Sequence, residues 1–277
     1  MKGVIVAAGY GTRFLPVTKT IAKEMLPLLN KPSIAFIIEE FLASGITDII
    51  VITSRRKRAL EDYLDREIEL EALFESENAR AKLDLIKPYP AHFSFVRQTE
   101  MKGTGHALLQ VKPLIGTEPI VVAYPDDLHF GQKPLTLQLI EAYEKTGCSV
   151  LASFYDPPEL NRYGVLDIAA DGLHVNDIIE KPPIGTEPSR EASMGRYLYT
   201  PEFFEYLEEG YRLHSKGEYY HVYALNKMMK AGKVVFQRMV GERLDTGNIP
   251  GFLQATLKYA KQFPELRAII KAEAADL

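Results

Sequence analysis

Short apolar runs rich in β-branched residues alternate with helical segments through the first 155 residues. The runs are GVIVAA, DIIVIT, FSFVR, PIVVAY and CSVLASF. Between the first two, residues 34–42 carry apolar side chains at the spacing of a helix that buries one face, and Gly45 is placed to end that helix. Similar patterns at 56–66 and 134–146 predict further helices. Strands that alternate with helices predict a mostly parallel sheet, with helices on both faces and ligands at the carboxyl ends of its strands.

The pattern changes after about residue 160. YGVLDIAADGLHVNDIIEKP predicts two short strands joined by a turn at 170–172, and a later segment predicts a strand followed by a helix that begins at Pro201. The last thirty residues have a helical pattern interrupted by Pro250 and Pro264. We therefore expect an α/β fold in one domain, residues 1–277. It combines a Rossmann-like, mostly parallel sheet flanked by helices with a small β-rich elaboration and a helical C-terminus.

Composition limits the classes of ligand. The chain has 277 residues, a formal net charge of −4 and a pI near 5.9, which argues against a basic surface for nucleic acid or an anionic membrane. Cys148 is the single cysteine, so no disulfide can form within the chain. No apolar run reaches the length of a signal-peptide core or a membrane span. We expect a cytoplasmic protein that binds neither nucleic acid nor membrane.

The loop after the first strand reads AAGYGTRFLPVTKTIAKEMLPLLNKP. Glycines at a strand end let backbone N–H groups approach a ligand, and the nearby cations indicate that this ligand is an anion. A dinucleotide-binding loop requires a third glycine where the chain has Phe14, and Leu15 and Pro16 stand where its helix should continue. No GxxxxGK[ST] string exists in the chain, so neither familiar phosphate loop fits.

The GxGTR and KEMLP motifs of this loop are followed in order by six others: RQTEMKGTGHAL, PDDL, YGVL, EKP, GRYLYTPEFF and LDTGN. In this combination the chain resembles the nucleotidyltransferases that activate sugar phosphates, most closely the bacterial UTP–glucose-1-phosphate uridylyltransferases. The resemblance covers nearly the whole chain. It divides the domain into a nucleotide-binding part at about 1–155, a sugar-binding part at about 156–249 and C-terminal helices at about 250–277.

The resemblance implies that an oxygen of glucose-1-phosphate attacks the α-phosphorus of UTP and expels pyrophosphate. Two anions must meet, so catalysis depends on charge stabilisation and positioning. Arg13 would hold the outgoing pyrophosphate, and Lys23 would bridge the α-phosphate and the sugar phosphate. Gly9, Gly11 and Thr12 would supply backbone donors, with Ala8 near the base.

Two more motifs complete the nucleotide half. Gln98 follows a strand, where its amide can pair with a pyrimidine edge, and Gly103 would allow the backbone to approach the base closely. The PDDL motif places two carboxylates, Asp126 and Asp127, at the end of a strand, an arrangement typical of an Mg²⁺ ligand. By the resemblance, Asp126 belongs to the nucleotide site and binds Mg²⁺ together with Asp245.

The sugar side is assigned by resemblance alone. Gly164 would contact the sugar, Glu180 would accept hydrogen bonds from its hydroxyls, and Lys181 would hold its phosphate. Gly195, with Arg196 beside it, is expected to line the same pocket.

Two departures from the family pattern bear on these expectations. Ala22 stands where the family usually has proline, which would loosen the loop that holds Lys23. GEYYHVYAL, residues 217–225, has Val222 and Tyr223 in place of a Thr-Asp pair, which bears on the identity of the sugar.

Three alternatives remain at this point. One is a thymidylyltransferase, or a uridylyltransferase for another sugar-1-phosphate. Another is a non-catalytic sensor of nucleotide sugars, although such a protein should have lost one of Arg13, Lys23 and the two metal-binding acids. The third, a dehydrogenase, is weakened by Phe14 and Pro16. Small-molecule substrates are the expected partners, and the helical tail is available for a homo-oligomer contact.

Overall fold

The structure, a computed structural model, describes residues 1–275. Its strands are β1 (Lys2–Val6), β2 (Pro27–Leu28), β3 (Lys31–Pro32), β4 (Asp48–Thr53), β5 (His92–Arg97), β6 (Ile120–Ala123), β7 (Asp127–Phe130), β8 (Ser149–Tyr155), β9 (Gly164–Ile168), β10 (Val175–Glu180), β11 (Glu191–Tyr199), β12 (Val234–Arg238) and β13 (Glu242–Asp245). Its α-helices are α1 (Ser33–Ala43), α2 (Arg58–Leu64), α3 (Ile68–Ser76), α4 (Arg80–Leu85), α5 (Thr104–Leu109), α6 (Lys112–Ile115), α7 (Leu135–Thr146), α8 (Phe203–Leu213), α9 (Val222–Lys230), α10 (Ile249–Ala260) and α11 (Pro264–Ala275).

One large sheet organises these elements. Its strand order is β10-β9-β11-β6-β1-β4-β5, and β8 pairs with β11 and β12 beside this path. Strands β6, β1, β4 and β5 are mutually parallel, whereas β11 runs antiparallel to β6, β8 and β9. The predicted Rossmann-like sheet is therefore confirmed, with its parallel half formed by the N-terminal strands.

Helices cover both faces because the strands are apolar on both sides. On one face α1 buries Ile34, Ile37, Ile38 and Phe41 fully. On the other face α5, α8 and α9 contribute the buried Leu108, Phe203, Leu207 and Met228. Parallel strands packed between two helical layers leave their carboxyl ends free for a ligand.

Most of the predicted elements are confirmed. The helix predicted to begin at Pro201 begins two residues later, at Phe203, behind a turn at Pro201 and Glu202. β9 and β10 form the predicted antiparallel hairpin, in which Glu180 pairs with Gly164. The tail is helical on either side of Phe263, and residues 276–277 of the predicted C-terminal segment lie outside the described range.

The hairpin is held at the carboxyl edge of the parallel strands by β11. Arg196 of β11 pairs with Ala123, the last residue of β6. Ala192, four positions earlier on β11, pairs with Val165 of β9. Since β11 runs antiparallel to β6, its first residues extend beyond the end of β6 and carry the hairpin with them.

Candidate active site

The loop after β1 folds back on itself. Gly11 has a φ of 70°, in the left-handed region that favours glycine. A Cβ there would lie 3.2 Å from Cβ of Lys23, and the hydroxyl of Thr18 donates a hydrogen bond of 2.8 Å to the Gly11 carbonyl. The 3₁₀ turns at 12–14, 17–19 and 23–25 then carry the chain towards α1. Gly11 thus brings Lys23 back beside the start of the loop.

Lys23 meets the carboxylate that follows β6. Its Nζ donates to Oδ2 of Asp126 at 2.5 Å. Burial by itself would lower the pKa of Lys23, but Asp126 and Glu24 outweigh it and raise that pKa above its ordinary value. Burial likewise opposes ionisation of Asp126, and Lys23 overcomes it, so the pKa of Asp126 is lowered. Both groups are therefore charged near neutral pH.

Arg13, Asp126 and Asp245 converge around Gly247. A Cβ on Gly247 would lie 3.0 Å from Oδ1 of Asp245, 3.1 Å from Oδ2 of Asp126 and 3.3 Å from a guanidinium nitrogen of Arg13. The same guanidinium donates to the Gly247 carbonyl at 3.3 Å. Three of the predicted residues, from three distant parts of the chain, therefore share one small region.

The carboxylates of Asp126 and Asp245 are the type of ligand that a magnesium ion requires. Mg²⁺ prefers oxygen ligands, and it is commonly held by one or two carboxylates together with substrate phosphates and waters. Within residues 1–275, no group of three or more His, Cys, Asp or Glu side chains could hold a metal. Asp126 and Asp245 therefore suit an ion that a phosphate substrate helps to bind.

A cavity of about 310 Å³ opens at this edge of the sheet. Of the residues predicted for the nucleotide site and catalysis, its walls include Ala8, Gly9, Lys23, Gln98, Gly103 and Asp126. Gly11, Thr12 and Arg13 lie outside its walls, on the loop between Gly9 and Lys23. The cavity therefore runs from Gln98 and Gly103, beside Glu218, to a charged end at Lys23 and Asp126.

Gln98 is held in place behind β5. Its side chain is buried, and its amide nitrogen donates to the Gly103 carbonyl at 3.1 Å and lies 3.2 Å from Nδ1 of His106. These contacts fix the orientation of the amide at the cavity wall.

Gly103 is needed for a reason that the sequence did not suggest. It has a φ of 93°, and a Cβ there would lie 2.5 Å from the carbonyl oxygen of Tyr219. The space beside Gly103 is thus filled by protein backbone, and the glycine allows the 217–225 segment to pack against the start of α5.

The hairpin brings the predicted sugar residues together. A Cβ on Gly164 would lie 3.0 Å from Oε2 of Glu180, so this exposed carboxylate covers the glycine. Lys181 follows with a φ of 48° and donates its backbone N–H to the Tyr163 carbonyl at 3.0 Å. A non-glycine residue in the left-handed region is uncommon, and here it turns the chain directly after Glu180.

Gly195 and Arg196 do not share a pocket, so the expectation for Arg196 was wrong. Gly195 donates its N–H to Oδ2 of Asp127 at 2.7 Å. Arg196 is fully buried and pairs at 3.0 Å with Glu40 on α1. Neighbouring residues of a strand point to opposite faces, so Arg196 enters the core beneath α1.

The sequence reasoning missed several residues of the cavity wall. They are Val6, Tyr10, Met101, Thr104, Ala107, Tyr124 and Glu218. Met101 and Thr104 lie in the RQTEMKGTGHAL motif, and Tyr124 ends the PIVVAY run. Their closeness in sequence to Gln98, Gly103 and Asp126 was the available signal. Glu218 could have been found as a position that matches the family within an otherwise divergent segment.

The divergent 217–225 segment packs against the nucleotide half of the site. The N–H of Tyr219 donates to the Lys102 carbonyl and its hydroxyl donates to the Leu207 carbonyl, both at 2.7 Å. His221 lies 3.2 Å from the hydroxyl of Thr104, between the ring of Tyr197 and the end of the cavity. Burial lowers the pKa of His221 to about 4, so the imidazole is neutral. Tyr223, at one of the two departures, donates to Glu209 on α8.

The fold and this site together define an enzyme that handles anionic substrates at the carboxyl edge of an α/β sheet. Residues 2–262 match the family model described as nucleotidyl transferase. The chain belongs to the nucleotidyl transferase family.

Relatives and solved structures agree with this assignment. The chain is 41% identical over 283 residues to a UTP–glucose-1-phosphate uridylyltransferase of Staphylococcus epidermidis, covering 98% of this chain and 96% of that one. It is 42% identical over 272 residues to the Bacillus subtilis protein of the same name, covering 96% and 93%. An apo UDP-glucose pyrophosphorylase superposes with a TM-score of 0.86 at 37% identity, covering 95% of this chain and 99% of that chain. The UTP-bound UGPase from Acinetobacter baumannii gives 0.88 at 29% identity, covering 100% and 99%.

Proposed function

We propose that this protein is a UTP–glucose-1-phosphate uridylyltransferase, which forms UDP-glucose and pyrophosphate from UTP and glucose-1-phosphate. The contact between Lys23 and Asp126 carries the proposal, because it places a cation and a carboxylate together at the charged end of the nucleotide cavity. The relatives that bear this name match the chain over nearly its full length. We also propose that residues 1–277 form a single nucleotidyltransferase domain, with the nucleotide and sugar parts divided near residue 155.

The chemistry requires two anions to approach each other. Lys23 offers a protonated amine at the charged end of the cavity, where it stabilises the α-phosphate and the incoming sugar phosphate. Arg13, beside Gly247, binds the outgoing pyrophosphate through its planar guanidinium. Neither residue acts as a nucleophile, so the reaction is a direct in-line displacement.

The nucleotide is held by the remaining cavity residues. Gln98 presents a fixed amide to the pyrimidine edge. Ala8 and Gly9 line the cavity beside it, and Gly11 and Thr12 continue the loop around the phosphates. Gly103 shapes this end by admitting Tyr219.

Asp126 and Asp245 are the proposed ligands of Mg²⁺, since their carboxylates lie on either side of Gly247. When bound, the ion neutralises phosphate charge. The protein's own part is to hold the two carboxylates in place, which it does through the Lys23 contact and through the Gly247 N–H, which donates to Asp245 at 2.8 Å.

The β9–β10 hairpin is the proposed sugar site. Glu180 accepts hydrogen bonds from the sugar hydroxyls, and Gly164, which its carboxylate covers, contacts the sugar beside it. Lys181 binds the sugar phosphate, and Gly195 lines the approach from β11. The role of Lys181 is supported by its fixed backbone turn and by its position directly after Glu180.

The proposed location rests on the reaction, whereas the proposed assembly rests on exposed apolar residues of the C-terminal helices. Among residues 1–275, no helix has both the length and the apolar character needed to cross a membrane. We propose a cytoplasmic enzyme, because its nucleotide and sugar-phosphate substrates are cytoplasmic metabolites. We also propose that α10 and α11, which expose Ile249, Leu253 and Ile269, serve a homo-oligomer contact.

The direct test is pyrophosphate release with Mg²⁺, using glucose-1-phosphate with UTP, dTTP, CTP, ATP or GTP in separate reactions. Galactose-1-phosphate and mannose-1-phosphate, each with UTP, test the sugar. We expect release with UTP and glucose-1-phosphate to exceed every other combination. Faster release with dTTP would favour the thymidylyltransferase, and faster release with another sugar phosphate would mean that the 217–225 segment has changed the acceptor.

A further inference from the structure

A buried ion pair lies directly behind Lys23. Nζ of Lys57 is 2.6 Å from Oε2 of Glu24, and the two side chains are only 4% and 1% exposed. Glu24 follows Lys23 in the 3₁₀ turn at 23–25, and Lys57 ends the connection between β4 and α2. The pair therefore joins the turn that carries Lys23 to the body of the sheet.

Stability alone does not account for this pair. Removing two charges from water costs several kcal/mol per ion, and apolar replacements of a buried pair are often neutral or stabilising. Burial raises the pKa of Glu24 and lowers that of Lys57, which is the direction expected for two charges that resist desolvation. Oε1 of Glu24 has no hydrogen-bond partner among residues 1–275. The place of the pair beside Lys23 is therefore more informative than its net contribution to the free energy of folding.

The turn at 23–25 has other attachments as well, including Met25, which packs against the core. Its backbone is held by the hydroxyl of Ser33, which donates to the Glu24 carbonyl at 3.1 Å, and by the N–H of Met25, which donates to Ala22 at 2.9 Å. The preceding loop exposes Leu15, Val17 and Ile21 but buries Thr18 and Ala22. Glu24 adds a buried ion pair to these attachments, directly beside Lys23.

The charges also alternate in space. Asp126, Lys23, Glu24 and Lys57 form a series of negative, positive, negative and positive groups that runs from the cavity into the core. Each member has an opposite charge beside it. Removal of Lys57 would leave Glu24 as an uncompensated buried carboxylate beside Lys23, free to draw the Lys23 ammonium away from the cavity.

We propose that Lys57 is a positioning residue for the reaction, acting through Glu24 to fix the place of Lys23 at the charged end of the cavity. The inference rests on the proposed function, because turnover is its readout. Lys57 is absent from the walls of the nucleotide cavity and lines a neighbouring cavity of about 280 Å³, which shares Gly9 and Tyr10 with it.

The test compares Lys57→Met with the double variant Glu24→Gln/Lys57→Met, in which neither charge remains. The matched control is Arg58→Met, which removes an exposed cation from the next position. Each protein is assayed for kcat and for KM with UTP and glucose-1-phosphate, and its thermal unfolding midpoint is measured. A misplaced catalytic group can cost on the order of 100-fold in rate. We therefore expect the double variant to unfold within a few degrees of the wild type while its kcat falls at least about 10-fold, with both KM values within about 3-fold.

The double variant decides the matter even where Lys57→Met does not fold. An unchanged kcat in a folded double variant would overturn the proposal, because the pair would then be structural only. A rise in KM alone, or an equal loss of kcat in Arg58→Met, would overturn it as well. If the wild type itself released no pyrophosphate, the proposed function would fail first, and this outcome is separate from any difference among the variants.

Discussion

Nζ of Lys23 lies 2.5 Å from Oδ2 of Asp126, a contact that joins residues 103 positions apart. One comes from the loop after β1 and the other from the end of β6, the neighbouring parallel strand. Because parallel strands end at the same edge of the sheet, the fold itself brings this cation and this carboxylate together. The site is assembled at that contact.

Replacement of the ammonium group should slow the reaction itself. We expect Lys23→Ala to lower kcat by roughly 100-fold or more, as loss of one preorganised charge stabiliser typically does. Lys19→Ala, which removes an exposed cation from the same loop, is the control and should keep kcat within about 2-fold. Steady-state pyrophosphate release measures both. A folded Lys23→Ala protein with normal turnover would remove Lys23 from the catalytic residues.

Asp245, the second proposed metal ligand, should matter for metal binding rather than for folding. We expect Asp245→Asn to raise the Mg²⁺ concentration for half-maximal rate by about 10-fold or more, since one of two carboxylate ligands is weakened. Binding of Mn²⁺ in the presence of UTP, followed by electron paramagnetic resonance, gives a readout that does not depend on turnover. Asp48→Asn, at the exposed start of β4, should leave both values unchanged. Equal Mn²⁺ affinity in Asp245→Asn and the wild type would exclude Asp245 as a ligand.

Two glycines of the cavity wall should respond in opposite ways. A Cβ on Gly9 would meet nothing within 4 Å, so Gly9→Ala should keep its unfolding midpoint and lose affinity for UTP. A Cβ on Gly103 would collide with the carbonyl of Tyr219, and φ there is positive, so Gly103→Ala should be clearly less stable. Thermal unfolding and calorimetric UTP titration separate the two effects. Unchanged UTP affinity in Gly9→Ala would show that the loop does not approach the nucleotide there.

His221 should make the protein less stable in mild acid. Burial lowers the pKa of His221 from 6.5 to about 4. Between pH 4 and pH 6.5 the imidazole is therefore protonated in the unfolded chain and neutral in the folded chain. Stability therefore falls as the pH drops from about 6.5 towards 4. We expect the unfolding midpoint of His221→Gln to fall less over this range than that of the wild type. His92→Gln, at the exposed start of β5, is the control, and parallel curves for all three proteins would contradict this account.

The sequence predicted the parts of the site that depend on local pattern. The β1 run and its glycines located the loop at a strand end, and the position of Asp126 after a β-branched run placed it at the same edge. The meeting of Asp126 with Asp245 came from the family resemblance, since nothing local to either residue relates them.

Contacts between distant segments were beyond this reasoning. Glu24 and Lys57 lie 33 positions apart and meet only because the loop folds back against the end of β4. The place of Glu218 at the cavity depends in turn on how Tyr219 packs on Gly103, in a stretch without regular secondary structure. The error at Arg196 came from placing two consecutive strand residues in one pocket, whereas Arg196 is fully buried and pairs with Glu40 on α1.

Phosphorus NMR can follow the reaction of UTP, glucose-1-phosphate and Mg²⁺ directly, because it resolves nucleotide sugar from pyrophosphate. We expect UDP-glucose and pyrophosphate to appear in equal amounts, and the reaction to reverse when these two are supplied instead. Hydrolysis of UTP without UDP-glucose, or no consumption of UTP by the folded protein, would contradict the assignment.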